Sequence, residues 1–492
     1  MKGPSEVRVV TVNRQQTTMC IIDVERLLEA DHPARAIWEF VGRLDLSRFY
    51  EQIESVEGEA GRPAFDPRMM ISLWAYSYSR GVSSAREVSR LCDYDPAYQW
   101  LTGLQIVNHH TLSDFRVQHK EELEGLFTQM LGVLSSEGLI TLERVMHDGT
   151  RIKACASGDS FRREERLRSH LEKAQEQVKL MEQAGEEEIA PRLARARQRA
   201  AKEHQERMVQ ALQELQELQK KRTGQEREKV RVSMTDPEAR IMKQPNGGFA
   251  PSYNAQISTD AAHGVIVGVE VTQSGSDYGQ LQPALEKIQE NMGRLPEQVV
   301  VDGGYIDWET VLALDAMNVE LIGPVIESGK QEMQLIGSGI AKEFHPDAFT
   351  YNHEQDTFSC PEGKILRHGR TEKSPGRTSP VYEASAADCF NCPMKAKCCP
   401  RSKSSGRTVR RAELDPTITA WKAEMETEEA KAVYRNRSQI AEFPNAWIKA
   451  KHNLRQFHLR GKTKAGIEAL WACFTYNVQQ WMRLRWRPAM TG

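Results

Sequence analysis

One segment limits the possible folds more than any other. Residues 161–222 contain no aromatic side chain after Phe161 and are rich in Glu, Arg, Gln and Ala. Their apolar residues Leu167, Leu171, Ala174, Val178 and Met181 step by 4-3-4-3, the spacing of a coiled-coil seam. Gly185 and Pro191 interrupt the seam, and Met208, Ala211, Leu215 and Leu218 resume it. The pattern predicts an antiparallel helical hairpin over 159–230. Its charges read as a solvated face, with contact to DNA or a partner as the other reading. The residues on either side are strand-like, so any sheet here carries the hairpin as an insertion.

Upstream of it, residues 140–146 form an apolar run that ends at His147-Asp148-Gly149. Downstream, 253–259 and 265–272 read as strands separated by turn signals at Asp260 and Gly264. A helix over 278–292 follows. Next come a short strand over 298–301 ending at Asp302-Gly303-Gly304, a helix over 308–317 and a strand over 319–325. An antiparallel pair followed by strand–helix alternation predicts an α/β fold built on a mixed sheet.

Residues 66–138 read as helical. Asp66-Pro67, Ser84 with Glu87, Asp95-Pro96, and Thr111 with Asp114 are helix-start signals, and Gly103 is a stop. Short helices joined by tight turns suit a helix-turn-helix-like module or a plain helical bundle. Residues 328–417 read as loop-rich, and the chain is helical again from Glu424. The expected units are an N-terminal helical, DNA-binding region over 1–138 and a catalytic core over 139–158 and 231–327. The others are the hairpin over 159–230, a Cys-containing insertion over 328–417, and a C-terminal helical part with a basic tail over 418–492.

Among 492 residues, Lys+Arg is 66 and Asp+Glu is 68, so a nucleic-acid surface must come from uneven distribution of charge. The C-terminal part supplies it: from Asn445 onward nine Lys and Arg face the single acid Glu468. Lys449, Lys451, Arg455, Arg460, Lys462 and Lys464 interleave with Trp447, His452, Phe457 and His458, and Arg483, Arg485 and Arg487 extend the positive tail. Such cations can neutralise backbone phosphates, and Trp447 could stack on an unpaired base or pack against the sheet. No apolar run approaches the roughly 20 residues of a membrane span, and 1–13 has no apolar signal region. Nine Cys, clustered late, do not form a secreted disulfide framework. The expectation is a cytoplasmic protein with no membrane partner.

Asp148 and Asp302 share one context, each ending an apolar strand and followed by Gly. Ligand and catalytic groups of α/β sheets collect at carboxyl ends of strands. Two carboxylates brought together repel unless a cation offsets them, and hard Mg²⁺ or Mn²⁺ prefers such oxygen donors. Each Asp-Gly alone is equally a common turn. In the string YRNRSQIAEFPNAWIK, Glu442 and Lys449 lie seven apart and share a helix face, though ordinary surface charges do the same. Arg151 and Lys153 sit where they could meet phosphate oxygens or remain solvated. Cys360, the Cys389-x-x-Cys392 knuckle, Cys398 and Cys399 have the ingredients of a structural tetrahedral zinc site, or of a reduced, metal-free loop.

HDGTRIKACAS, VVVDGGY, HHTLSDFR and the Tyr434-x-x-Arg437…Glu442…Lys449 string together resemble the DDE transposases of bacterial insertion sequences. The likeness is to the subgroup with an N-terminal helical domain and a Cys-bearing segment before the final Glu, and it spans roughly 10–486. It implies an RNase H-like core with Asp148, Asp302 and Glu442 as the catalytic acids, holding two Mg²⁺ or Mn²⁺ ions. Tyr434, Arg437 and Lys449 would contact transposon-end DNA. The expected partners are terminal inverted repeats and target DNA, with a homodimer in the DNA complex and association with the nucleoid. The implied reaction is cleavage of element ends and strand transfer. A nuclease without strand transfer and a non-catalytic DNA-binding descendant are the alternatives. Four residues, 438–441, separate Arg437 from Glu442, where the better-known signature has three. Glu429 and Glu468 are the fallback acids.

Overall fold

The computed structural model describes residues 15, 17, 19, 21–55, 63–183, 191–325, 337–402, 404–411 and 413–491. Up to Ser136 the regular elements of the described residues are all helical. The central helix, α1 (Pro67–Ser79), starts where Asp66 accepts a hydrogen bond from the Arg68 amide, with Pro67 at the first position. Around it lie Pro33–Val41, Ala85–Tyr94, Pro96–Thr102, His109–Gln118 and Lys120–Ser136. One start signal falls elsewhere than expected. Asn108, not Thr111, caps the helix at His109, because its side chain accepts from the His110 amide at 2.8 Å. His109 and His110 therefore lie inside the first turn.

The main sheet has six strands: β1 (Arg144–Lys153), β2 (Arg240–Lys243), β3 (Phe249–Asp260), β4 (Ile266–Thr272), β5 (Gln298–Val300) and β6 (Glu320–Ile322). β3 pairs antiparallel with β1 along one edge and with β2 and then β4 along the other. On its far side β1 runs parallel to β5, which runs parallel to β6. Where the chain enters β1, the Asp260 carboxylate accepts from the Thr141 and Leu142 amides, holding Leu142 at φ 56°.

Between β1 and β2 the predicted hairpin is present as α2 (Glu164–Gln183) and α3 (Pro191–Lys220). Gln219 reaches Glu164 at 3.1 Å and Lys202 reaches Glu182 at 3.1 Å, so the helices lie antiparallel. Leu167, Ala174, Val178, Met208, Ala211 and Leu215 of the predicted seam are buried.

Residues 337–417 depart from the loop-rich expectation. They contain a second six-stranded sheet, with Ile365–Ser374 and Arg377–Ala384 at its centre and a small core of its own around Phe349, Phe358, Leu366 and Tyr382. Leu366 is the one buried side chain of strand Ile365–Ser374. Such a strand carries almost no apolar alternation, the signal on which strand reading rests.

The chain ends in helices, including α4 (Phe443–Ala450) and α5 (Lys462–Trp481). α5 is buried along most of its length, packing on β4 and on α1. Trp471 of α5 stacks on Tyr78 of α1, with ring centroids 6.3 Å apart and planes within 4°. Through α5 the N-terminal helices and the main sheet share one continuous hydrophobic core. A mixed α/β fold with a helical N-terminal region is thus as expected.

Candidate active site

The site is built where β5 stops. The parallel pairing of β1 with β5 ends at Met146 opposite Val300, while β1 runs on to Lys153. Asp148 therefore lies within its strand, not at the end of it as the apolar run suggested. It stands two residues beyond the last pair with β5, still paired to β3, and Asp302 lies two residues beyond Val300 alongside. The aspartates are tied together from outside the sheet. A terminal nitrogen of Arg437 donates to Asp148 Oδ1 at 3.1 Å and lies 3.6 Å from Asp302 Oδ2. Asn445 donates to Asp148 Oδ2 at 2.9 Å, and the Gly304 amide donates to Asp302 Oδ1 at 2.7 Å. Burial pushes the Asp148 carboxyl up to about 6; the Arg437 cation opposes that shift, and neighbouring Asp302 adds to it.

Arg437 and Asn445 flank Glu442. Residues Ser438–Glu442 form one π-helical turn that leads into α4 and packs against β1 and β3. A π turn accommodates one residue more than an α turn. The four residues between Arg437 and Glu442 thus return the glutamate to the face of the arginine, as three would in a regular helix. Asn445 follows Glu442 at i,i+3 on that face. Glu442 itself is exposed. Among the described residues no three His, Cys, Asp or Glu side chains are gathered closely enough to hold a metal ion. The structure brings Asp148 and Asp302 together and places Glu442 between their two partners, with its carboxylate short of theirs.

α4 is fixed from behind. Trp447 and His452 both donate to Gln479 Oε1 of α5, each at 2.9 Å, so the Trp447 nitrogen is engaged while its ring packs on Phe443. Lys449 is half-buried, and burial lowers its pKa while Asp148 opposes that shift. Lys451 and Arg455 are exposed, as is Lys153. Tyr434 is half-buried and lines a groove with Gly323, Pro324 and Met425. Of the fallback acids, Glu468 is wholly buried and accepts from the His458 and Leu459 amides, whereas Glu429 is exposed.

Behind Asp148, on the opposite face of β1, lies a buried polar layer that sequence reading missed. His147, Gly149 and Arg151 stand across from Ser258, Gln256 and Asn254 of β3. Gln256 Oε1 accepts from the Tyr305 hydroxyl at 2.6 Å and lies 2.9 Å from His147 Nε2. That makes Nε2 the protonated nitrogen and leaves Nδ1 to accept from Ser258 at 2.9 Å. Complete burial holds this imidazole neutral, at about 4. Asp277 accepts from Asn254 at 2.8 Å and Gln256 at 3.2 Å, and Arg151 lies 3.9 Å from it. Gly149 makes the layer possible, since a Cβ there would sit 2.5 Å from Asp277 Oδ1 and 2.8 Å from the Tyr305 hydroxyl. Asn445 was within reach of the sequence, three residues beyond Glu442. Asp277 carried no signal beyond a Gly- and Ser-rich turn after a strand.

Five cysteines, Cys360, Cys389, Cys392, Cys398 and Cys399, line one small cavity in the second sheet region, all as free thiols. The Lys364 and Arg407 amides donate to the sulfurs of Cys360 and Cys389, each at 3.2 Å.

Two family models match the chain. "Transposase domain (DUF772)" covers residues 22–118, the N-terminal helices, and "Transposase DDE domain" covers residues 359–482. Together they indicate an insertion-sequence DDE transposase. The DDE match takes in the cysteines, the π turn and α5, and leaves Asp148 and Asp302 outside it. No curated protein matches the chain. Among the described residues, no helix is long and apolar enough to cross a membrane.

Proposed function

We propose that the protein cuts the ends of its element and joins them to target DNA, with Asp148, Asp302 and Glu442 holding the divalent cations of the reaction. The observation that carries this reading is the docking of the Glu442 turn. Arg437 before it and Asn445 after it both bind Asp148, so a small local movement brings the third carboxylate to the other two. The strand pattern supports an RNase H-like core, three antiparallel strands followed by two parallel ones. The donor set fits Mg²⁺ or Mn²⁺: carboxylate oxygens on adjacent strands, already offset by a positive group. Ions held there supply activation of the attacking water or DNA 3′-hydroxyl and stabilisation of the leaving 3′-oxygen.

The chain's own residues orient the DNA. Lys449 lies near Asp148, where phosphate oxygens would come. Arg151, held at Asp277 and the Gly275 carbonyl on the other face of β1, would meet DNA with Lys153, Lys451 and Arg455 on the flanking positive surface, and Tyr434 and Trp447 border it. The helical region over 1–138 is the proposed reader of the terminal repeats. Two element ends must be held at once, which calls for a homodimer on DNA, acting in the cytoplasm at the nucleoid. In the second sheet region the five cysteines line one cavity without three of them close enough to hold an ion; a structural zinc would draw four of them together, and two sulfurs already accept backbone amides. Zinc content of the purified protein and of Cys389→Ser tests that part.

The main test is incubation with DNA carrying the inverted repeats that flank the coding region. Cleavage that needs Mg²⁺ or Mn²⁺, together with joining of pre-cleaved ends, is expected. Cleavage without joining would leave a nuclease, and ends untouched under all metals would overturn the proposal.

A further inference from the structure

We propose that Arg437 is a built-in counter-cation for Asp148 and Asp302, exchanged for a divalent ion when DNA phosphate draws the guanidinium away. This rests on the reading of the two aspartates as metal-holding groups, and it gives Arg437 a role beyond contact with DNA.

Three observations carry it. First, the guanidinium takes the position a cation between the two carboxylates would take, 3.1 Å from one and 3.6 Å from the other. Arginine cannot shed its charge at any ordinary pH, so only displacement releases the carboxylate lone pairs. Second, the guanidinium is incompletely held. Arg437 is 8% exposed, and its Nε is buried with no hydrogen-bond partner. A group tied by one terminal nitrogen to an acid pair, with a buried donor unmet, gains by moving to a phosphate that accepts two parallel bonds. Third, Arg437 and Glu442 bracket one π turn on a single helical segment. A turn that departs from regular helical bonding can revert or rotate locally. The arginine side chain then swings out to phosphate while a shift of the turn draws the glutamate in, so the positive group that guards the aspartates leaves as the third acid arrives.

Metal and DNA binding should therefore assist each other through this residue, and by linkage the assistance is reciprocal. Mn²⁺ titration of the full-length protein by calorimetry, without DNA, tests the idea on wild type, Arg437→Gln, Arg437→Lys and Asp148→Asn. Arg437→Gln should bind Mn²⁺ about fivefold more tightly or better than wild type, at the lower edge of common coupling strengths. Arg437→Lys, a single-point cation without the fork, should fall between the two. Adding a duplex of the terminal repeat should tighten Mn²⁺ binding by wild type and leave Arg437→Gln unmoved. Wild-type or weaker affinity in a folded Arg437→Gln, or in Arg437→Lys should Gln fail to fold, overturns the exchange while leaving the metal site intact. Mn²⁺ binding that survives in Asp148→Asn overturns the site reading and the exchange together.

Discussion

The protein contains two six-stranded sheets of opposite character. The main sheet is sandwiched in the continuous core, its strands buried on one or both faces; it fixes Asp148 by backbone pairing and delivers Asp302 just beyond the end of β5. The second sheet has its own small core, and its long strand Ile365–Ser374 is largely exposed. The difference separates two ways of holding functional side chains. In the first, apolar burial fixes the backbone and polar groups are then placed upon it. In the second, less apolar burial is available, and five cysteines line a cavity beside the small core, Cys398 being part of it. Damage to the first should cost the whole molecule, and damage to the second should stay local.

The largest effect expected on the first sheet is chemical. Asp148→Asn or Asp302→Asn should lower end cleavage about a thousandfold or more, the loss of several kcal/mol of charge stabilisation, with the melting profile retained. Cleavage near wild type in either variant breaks the site. Trp471→Ala comes next. It removes the stack on Tyr78 and should cost about 3–5 kcal/mol in one cooperative denaturant transition. An N-terminal region that melts separately would show that the shared core does not couple the two parts.

Gly149→Ala should cost about 1–3 kcal/mol, the usual range for overpacking. Its methyl group would meet Asp277, Gln256 and Tyr305. Cleavage should fall with it, because the strand that carries Asp148 must shift; an unchanged melt would mean the polar layer is loose. A pH series sharpens the same point. Asp148 titrates at about 6 in the folded chain, above the ordinary carboxylate value of about 4. Its contribution to folding stability is therefore full below about 4 and is lost as pH rises through about 6. Metal binding runs the other way, because the proton and the metal compete. Mn²⁺ affinity should level off above about pH 6 and weaken about tenfold for each unit below it. An affinity flat to pH 5 would contradict the assignment. The smallest effect on the core belongs to the second sheet. Cys389→Ser should increase proteolysis within 337–411 and leave the main transition in place.

The same contrast decides what the sequence could disclose. Five of the six strands of the main sheet and the hairpin seam were legible because burial writes period-two or heptad patterns into the chain; β2 was not, since only Met242 of its four residues is buried. The second sheet was not, since a strand with one buried residue writes none. At the site the two aspartates were legible from their strand contexts, although Asp148 proved to lie inside β1. The unusual spacing before Glu442 looked like a departure in sequence and is absorbed by a π turn in the fold. Arg437 as partner of the aspartates, Asn445, and the Asp277 layer depend on distances across the chain, such as 289 positions between Arg437 and Asp148. No local pattern records them.

The central claim is that Asp148, Asp302 and Glu442 share one set of metal ions. Anomalous diffraction at the manganese edge, from crystals of the protein with terminal-repeat DNA and Mn²⁺, tests it most directly. The account predicts peaks bonded to both aspartates, with the Glu442 carboxylate drawn in and Arg437 turned toward a phosphate. A complex with scissile DNA in place but no manganese at the aspartates, or with Glu442 still facing solvent, would contradict it.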